Sequence, residues 1–446
     1  VLLSTPPSKQ ASDAHARGIR VPLNAFQRVL RGWEAVHPYN AAQVIELTQP
    51  VDVATATAAW NGTLDAAGLG RVEPARHSYR HVVLNGEQAR FPVRSLETDT
   101  DLEAYLSAEL NRPFDAPGAP PFRPFLLPDV AAGRWHFGVV YQHWVADSVA
   151  IRLLLRDWMA RVFAPPALCP EPLRHPDAGY LGLLRHARGD ETAAQTLLSL
   201  VRRHLRCRRA RKPVTHGRDD YPVSVRLFEA SGVVPGLIDS AHRRGVKVND
   251  LLLAAAAVAC DGRVPIQHRD NRPDLAVGSI VDLRPLARGA LDDRFGLFLG
   301  FAEVHCQPGE LRNPDALVKS IARQNALHWR RGVWPSSAGW LLAAMAVRPL
   351  VKPHKLYHFF RKEAPLTAGV SNVNLNRTWV SSVHPRLVAR YRRISPTGPL
   401  APVVFSATSL GDSLQVCLTY RSALLTPTQA AALGQAYLDM LARLAG

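Results

Sequence analysis

The sequence predicts a mixed α/β (α+β) protein of two lobes, on three observations. Strand-like and helix-like runs mix in both halves without a regular βαβ repeat. A segment holding five prolines, Ala164–Tyr180, stands between the halves and reads as a linker. The chain has 446 residues, 47% of them hydrophobic, enough for sizeable cores and too long for one domain of the usual roughly 100–200 residues. The lobes are expected at residues 1–170 and 180–446.

Gln43–Leu47 is a strand candidate, and the Ala-rich run Val51–Ala67 a helix candidate. Leu102–Leu110 is amphipathic at helical spacing. Trp135–Tyr141 is apolar, rich in strand formers and too short for a helix. After Asp147 the period changes: Val149, Leu153, Leu154, Trp158, Met159, Val162 and Phe163 recur as on a helix face. Asp147 or Ser148 is placed to cap it, since either side-chain oxygen can accept a first-turn N–H. In the second half, Thr192–Arg206 is a helix candidate and Val223–Phe228 a strand. Asn249–Cys260 is apolar all round, which predicts a buried helix capped by Asn249. Leu275–Leu283 and Phe295–His305 read as strands. Val403–Thr408 and Ser413–Tyr420 read as two strands around Gly411-Asp412, and Thr426–Leu444 as a terminal helix.

The balance of 54 Lys+Arg against 37 Asp+Glu gives a net charge of +17, carried almost entirely by Arg. Positive surface suits an anionic partner. Nucleic acid is not expected: the densest basic run, Arg202–Lys212, has no interleaved aromatics and reads as a solvated helix end or connector. The five cysteines are scattered with no CxxC pair, which argues against a disulfide framework or a zinc site and fits a reducing cytosol. The opening VLLSTPPSKQ lacks signal-peptide features. No apolar stretch reaches ~18 residues; Ala338–Val347 comes nearest and reads as a buried helix, leaving at most peripheral membrane contact. A cytoplasmic monomer is expected.

Walker A, GxGxxG, GxSxG and HExxH patterns are missing from the chain, which removes the commonest nucleotide, hydrolase and metalloprotease chemistries. The pairs His77/His81 and His354/His358 have no third ligand nearby and read as ordinary histidines, so no metal is expected. HxxxD occurs at His143/Asp147, His186/Asp190 and His216/Asp220. The last two lie in polar segments rich in Arg and Gly. Only His143 follows an apolar strand, and only Asp147 opens a strongly amphipathic helix. At such a corner packing fixes the backbone and a side chain can be aimed into a cleft. Histidine, with a reference pKa near working pH, suits a general base there.

His143-Trp144-Val145-Ala146-Asp147-Ser148 resembles the HHxxxDG motif of the CoA-dependent acyltransferase superfamily, which includes chloramphenicol acetyltransferase, condensation domains and wax ester synthases. Val21–Gln27 (VPLNAFQ) is similar to the PLSxxQ opening of condensation domains. Pro113-Phe114-Asp115 with Pro120-Pro121-Phe122-Arg123 resembles their PFDLxxxPPLR stretch. Val246–Ala259, Val281-Asp282-Leu283-Arg284 and Gly369–Val373 are similar to successive blocks of the wax synthase branch, the last without its PGP. The blocks stand in family order over nearly the whole chain.

The resemblance implies two chloramphenicol acetyltransferase-like lobes, each a mixed sheet with flanking helices, forming a V-shaped cleft. It implies acyl transfer from a pantetheine thioester, with CoA or phosphopantetheine as co-substrate and no permanently bound cofactor. His143 aligns with the family's general base, and Asp147 with a mainly structural Asp for which Arg284 is in place as ion-pair partner. Gln142 replaces the motif's first His, and Ser148 its Gly. Gln142, Ser148, Ser371 and Asn372 are candidates for contacting substrate or its oxyanion. The partners implied are acyl-CoA or an acidic acyl or peptidyl carrier protein, and a small-molecule acceptor. A hydroxyl acceptor ranks first; an amide-forming condensation enzyme and a non-catalytic carrier-binding protein are the alternatives.

Overall fold

The computed structural model describes residues 16–84, 91–114, 120–164, 171, 173–174, 203–214, 220–267, 271–287, 289, 291–330, 337, 365–377 and 387–446. Its strands, in chain order, are β1 Ala16–Pro22, β2 Asn40–Leu47, β3 Arg71–Pro74, β4 Ser78–Leu84, β5 Arg94–Ser95, β6 Phe122–Asp129, β7 Arg134–Gln142, β8 Lys212–Pro213, β9 Val223–Ala230, β10 Ile266–Gln267, β11 Leu275–Asp282, β12 Leu299–Cys306, β13 Ala368–Asn374, β14 Val388–Ile394, β15 Val403–Leu410 and β16 Ser413–Arg421. The helices are α1 Ala25–Glu34, α2 Val53–Ala66, α3 Leu102–Asn111, α4 Ser148–Phe163, α5 Val233–Arg244, α6 Val248–Cys260, α7 Pro308–Leu311, α8 Pro314–Arg330 and α9 Pro427–Ala445. Residues 203–209 are also helical.

Two mixed sheets dominate, one ordered β14-β2-β7-β6-β5 and the other β12-β11-β13-β15-β16-β9. The first draws on the N-terminal half, with one exception. β14, from the C-terminal half, pairs antiparallel with β2 and closes that sheet's edge. The expected lobe boundaries, at 170 and 180, fall on residues outside those described. The second sheet carries α6 on its face, packed against α8 and α9. Ten of the thirteen residues of α6 are buried, which is why its sequence shows no polar face.

Most expected elements form, with small shifts. Asp147 does cap α4, accepting from Val149 N and Ala150 N at 3.0 and 2.9 Å. Asn249 does not cap α6. The helix starts one residue earlier, and the Asp250 carboxylate accepts from Lys247 N at 2.9 Å, while the Asn249 amide reaches Ser279 Oγ. The expected strand at Phe295–His305 begins only at Leu299, because Gly296, at φ 149°, and the residues beside it are used to hold Asp147. His77 is exposed and His81 fully buried, so the two offer no common face. The expected features Ala338–Val347, His354/His358 and His186/Asp190 lie outside the described residues, as do His216 and most of Thr192–Arg206.

β6 and β7 pair so that Phe125 faces Gly138. A Cβ at Gly138 would lie 2.1 Å from the Phe125 ring, so a side chain there must displace a fully buried aromatic. Gly138→Ala should destabilise the protein by about 1–3 kcal/mol. A urea midpoint equal to that of the parent would refute this.

Candidate functional site

β7 delivers His143 to the corner, and the loop that follows is tied to α1 and to the segment 296–298, which α1 also holds. Gln27, buried on α1, donates to the Trp144 carbonyl at 3.1 Å. Asn24, the α1 N-cap, donates to Leu297 O at 2.7 Å. The Asp147 amide donates to Gly296 O at 3.0 Å. The VPLNAFQ opening therefore holds the His loop directly through Gln27 and, through Asn24, the Leu297 segment whose neighbours bind Asp147.

Asp147 is fully buried, and its carboxylate is saturated. Oδ1 takes the α4 amides; Oδ2 accepts from Arg284 NH1 at 2.7 Å and from Phe298 N at 2.8 Å. Arg284 is 2% exposed, and also reaches Asp282 Oδ1 and Arg294 O, each at 3.2 Å. Sequence reasoning named this pair, and the structure brings the two together across 137 positions of chain.

His143 does not bond to Asp147. Its Nδ1 lies 3.0 Å from the Ala146 carbonyl. A carbonyl only accepts, so in the neutral ring the proton sits on Nδ1 and Nε2 keeps its lone pair. Tyr39 stacks on the imidazole with centroids 5.6 Å apart, and Tyr141 meets it edge-on at 5.8 Å. Burial holds the His143 pKa below 6.5, outweighing the Ala146 carbonyl and the Asp147 charge, which pull the other way. At neutral pH the ring is therefore a free base.

His143 lines a cavity of about 880 Å³, counted with its open mouth. Phe26, Leu30, Trp33, Leu299, Phe301 and Leu366 make its apolar walls, and Ser148, Ser371, Ser395 and Thr397 add hydroxyls. Phe26, Leu30 and Trp33 come from the N-terminal half; Leu299, Phe301 and Leu366 come from the C-terminal half. The site therefore exists only once the two halves meet.

The remaining candidates divide. Ser148 and Ser371 lie at this cavity. Gln142 turns away to donate to Glu34 at 3.2 Å, a carboxyl pushed up to about 7 mainly by burial. Asn372 does not line the cavity; in β13 it follows Ser371, and neighbouring strand residues face opposite ways.

One residue was missed by sequence reasoning. Arg393, on β14 and 2% exposed, donates from NH1 to Ser148 Oγ at 3.0 Å and to Ser371 Oγ at 3.3 Å. Its only sequence signal is an arginine inside the strand-like run of Tyr391-Arg392-Arg393-Ile394.

Elsewhere, Cys207, Glu303 and His305 gather within 4.8 Å, all buried. Glu303 is already forked by Arg203, at 2.6 and 3.1 Å, and this cation opposes a metal ion. Arg209 and Arg211 pair with Asp274 and Asp261 at 3.0 and 2.6 Å. The basic run thus fastens residues 203–211 to the C-terminal half, so much of its charge is spoken for. Among the described residues, no helix is long and apolar enough to cross a membrane.

No protein-family model and no curated protein sequence matches the chain. Solved structures do. A mutant of the starter condensation domain of rhizomide synthetase, in complex with C8-CoA and Leu-SNAC, aligns at TM-score 0.64 and 17% identity over 98% of this chain and 96% of that one. The first condensation domain of the calcium-dependent antibiotic synthetase, bound to a substrate analogue, gives 0.66 and 14% over 96% and 97%. The EpoB cyclization-docking bidomain from Sorangium cellulosum gives 0.68 and 15% over 98% and 85%. At these identities the likeness concerns architecture. The chain has the two-lobed fold of the condensation domains.

Proposed function

We propose that the chain is a condensation-type acyltransferase, moving an acyl group from a pantetheine thioester to an amine. The observation that carries the reading is His143, a neutral imidazole with its lone pair on Nε2, at the wall of an apolar cavity shared by both halves. The sequence ranked a hydroxyl acceptor first. The structural neighbours are peptide-synthetase domains, one of them crystallised with C8-CoA and Leu-SNAC, and this moves the preference to carrier-bound substrates and an amine.

His143 Nε2 takes the proton as the amine nitrogen attacks the thioester carbonyl. The carbonyl oxygen becomes an oxyanion, for which Ser148 and Ser371 are the candidate donors. The intermediate then collapses: the C–S bond breaks, the amide forms, and the sulfur leaves as a thiol with the proton from His143. Asp147 and Arg284 hold the loop and touch neither reactant. The apolar walls suit a hydrocarbon or hydrophobic aminoacyl chain, and the positive net charge suits CoA phosphates or an acidic carrier protein.

A panel of acyl-CoAs and loaded carrier proteins, offered with amine and alcohol acceptors and read by mass spectrometry, tests the reading. Amide products from carrier-bound donors are expected. Ester products alone would restore the hydroxyl acceptor, and binding without product would indicate a non-catalytic member of the fold.

The pH dependence follows from the His143 environment. A base whose pKa is held below 6.5 stays unprotonated down to that lower value, then is lost as pH falls through it. The acid limb of the transfer rate should lie below pH 6.5. A limb above 6.5 in a pH–rate profile would contradict the burial argument.

A further inference from the structure

We infer that Arg393 makes the wall beside His143 an anion site, by presenting the hydroxyls of Ser148 and Ser371 as a pair of donors to a negative oxygen. The inference rests on, and deepens, the acyl-transfer reading: the oxygen served would be that of the tetrahedral intermediate.

The geometry points one way. One guanidinium nitrogen, NH1, lies 3.0 Å from Ser148 Oγ and 3.3 Å from Ser371 Oγ, so it draws two hydroxyls from opposite halves of the chain together. NH2 binds the Ser371 and Ala407 carbonyls at 2.9 and 3.0 Å, and Nε binds Thr408 Oγ1 at 3.1 Å. All five donors are used, and the headgroup has no freedom to turn. Arginine only donates, so both serine oxygens must accept from it, and each serine must send its own proton elsewhere. Among the described residues neither hydroxyl has an acceptor, and both serines lie at the cavity. An acceptor supplied by the substrate completes both.

Charge supports the same conclusion. Every partner of this buried cation is a hydroxyl or a carbonyl, and none is a carboxylate. Burial pushes its pKa down to about 10, which still leaves it charged at neutral pH. A buried cation without a counter-ion is costly, and a negative oxygen at the two serines would offset that cost. Where the family motif has Gly, this chain has Ser148, and Arg393 is what that serine binds.

Arg393 is thus a positioning residue acting through the serines. The test compares hexanoate with hexanol, equal chains differing in the anionic headgroup, by isothermal titration calorimetry on the full chain. The parent should prefer hexanoate, and Ser148→Ala/Ser371→Ala should lose about 10-fold or more of that preference while hexanol affinity stays within about 2-fold. Arg393→Lys keeps a charge but not the fork, and should lower kcat with little change in KM. A preference that survives in the double variant overturns the inference, even if Arg393→Lys lowers the melting temperature. A parent that prefers hexanoate yet transfers no acyl group keeps the anion site and removes the transfer reading. A parent that transfers but shows no preference removes the anion site alone.

Discussion

His143→Ala is expected to lower acyl transfer by about 10²–10⁴-fold, the usual contribution of a positioned general base. The variant should fold normally. The ring's one hydrogen bond is to a carbonyl that water can satisfy once the imidazole is gone, and the His143 backbone keeps its own bond to Tyr39 O. The loop keeps its anchors at Trp144 O and Asp147, neither of which passes through the imidazole. Thiol release from loaded pantetheine thioesters measures the effect directly, with near-ultraviolet circular dichroism as the check on folding. Unchanged thiol release in a folded variant would remove His143 from the reaction and leave the cavity a binding site.

The second large effect concerns stability. Asp147→Asn leaves the Arg284 guanidinium in the interior without its main partner, and losing one member of a buried ion pair costs about 3–5 kcal/mol. Asp282 is a poor substitute: it sits 3.2 Å from Arg284, and burial raises its own pKa. The pair joins the α4 N-terminus to the segment after β11, so its loss also loosens the contact on which the cavity depends. The double variant Asp147→Asn/Arg284→Met should cost less than the two single changes added together, because no lone charge remains. Denaturant melts of the four proteins measure this cycle. Activity per folded molecule should fall far less in Asp147→Asn than in His143→Ala, since the carboxylate does not bond to the imidazole. A stable but inactive Asp147→Asn would instead make the carboxylate part of the proton path.

Much of the site could be read from local pattern. The change of period at Asp147 marks a strand-to-helix corner, and of the two candidate caps, Asp147 and Ser148, it is Asp147 that caps the helix. Arg284 was legible only through the resemblance, because nothing local to residue 284 says that it meets residue 147. The same motif comparison offered Gln142 and Asn372, and tertiary structure separates them from the cavity. Gln142 was captured by Glu34 of α1, a contact between residues 108 positions apart. Asn372 was placed by the parity of β13, where a shift of one residue exchanges the faces. The mis-set start of β12 has a related cause: Phe295–Phe298 are apolar and strand-like, yet the Phe298 amide is taken by Asp147 rather than by a neighbouring strand.

By itself the sequence determined the two-lobed α/β plan, the His143 corner and a helix cap at Asp147 or Ser148, because period, capping chemistry and apolar content act over a few neighbouring residues. Tertiary structure alone decided which polar groups meet at the cavity. β14 leaves the C-terminal half, completes the N-terminal sheet, and carries Arg393 between Ser148 and Ser371. That placement follows from pairing β14 with β2, and from a buried guanidinium needing five acceptors at once. Both are long-range conditions, and residue order does not display them.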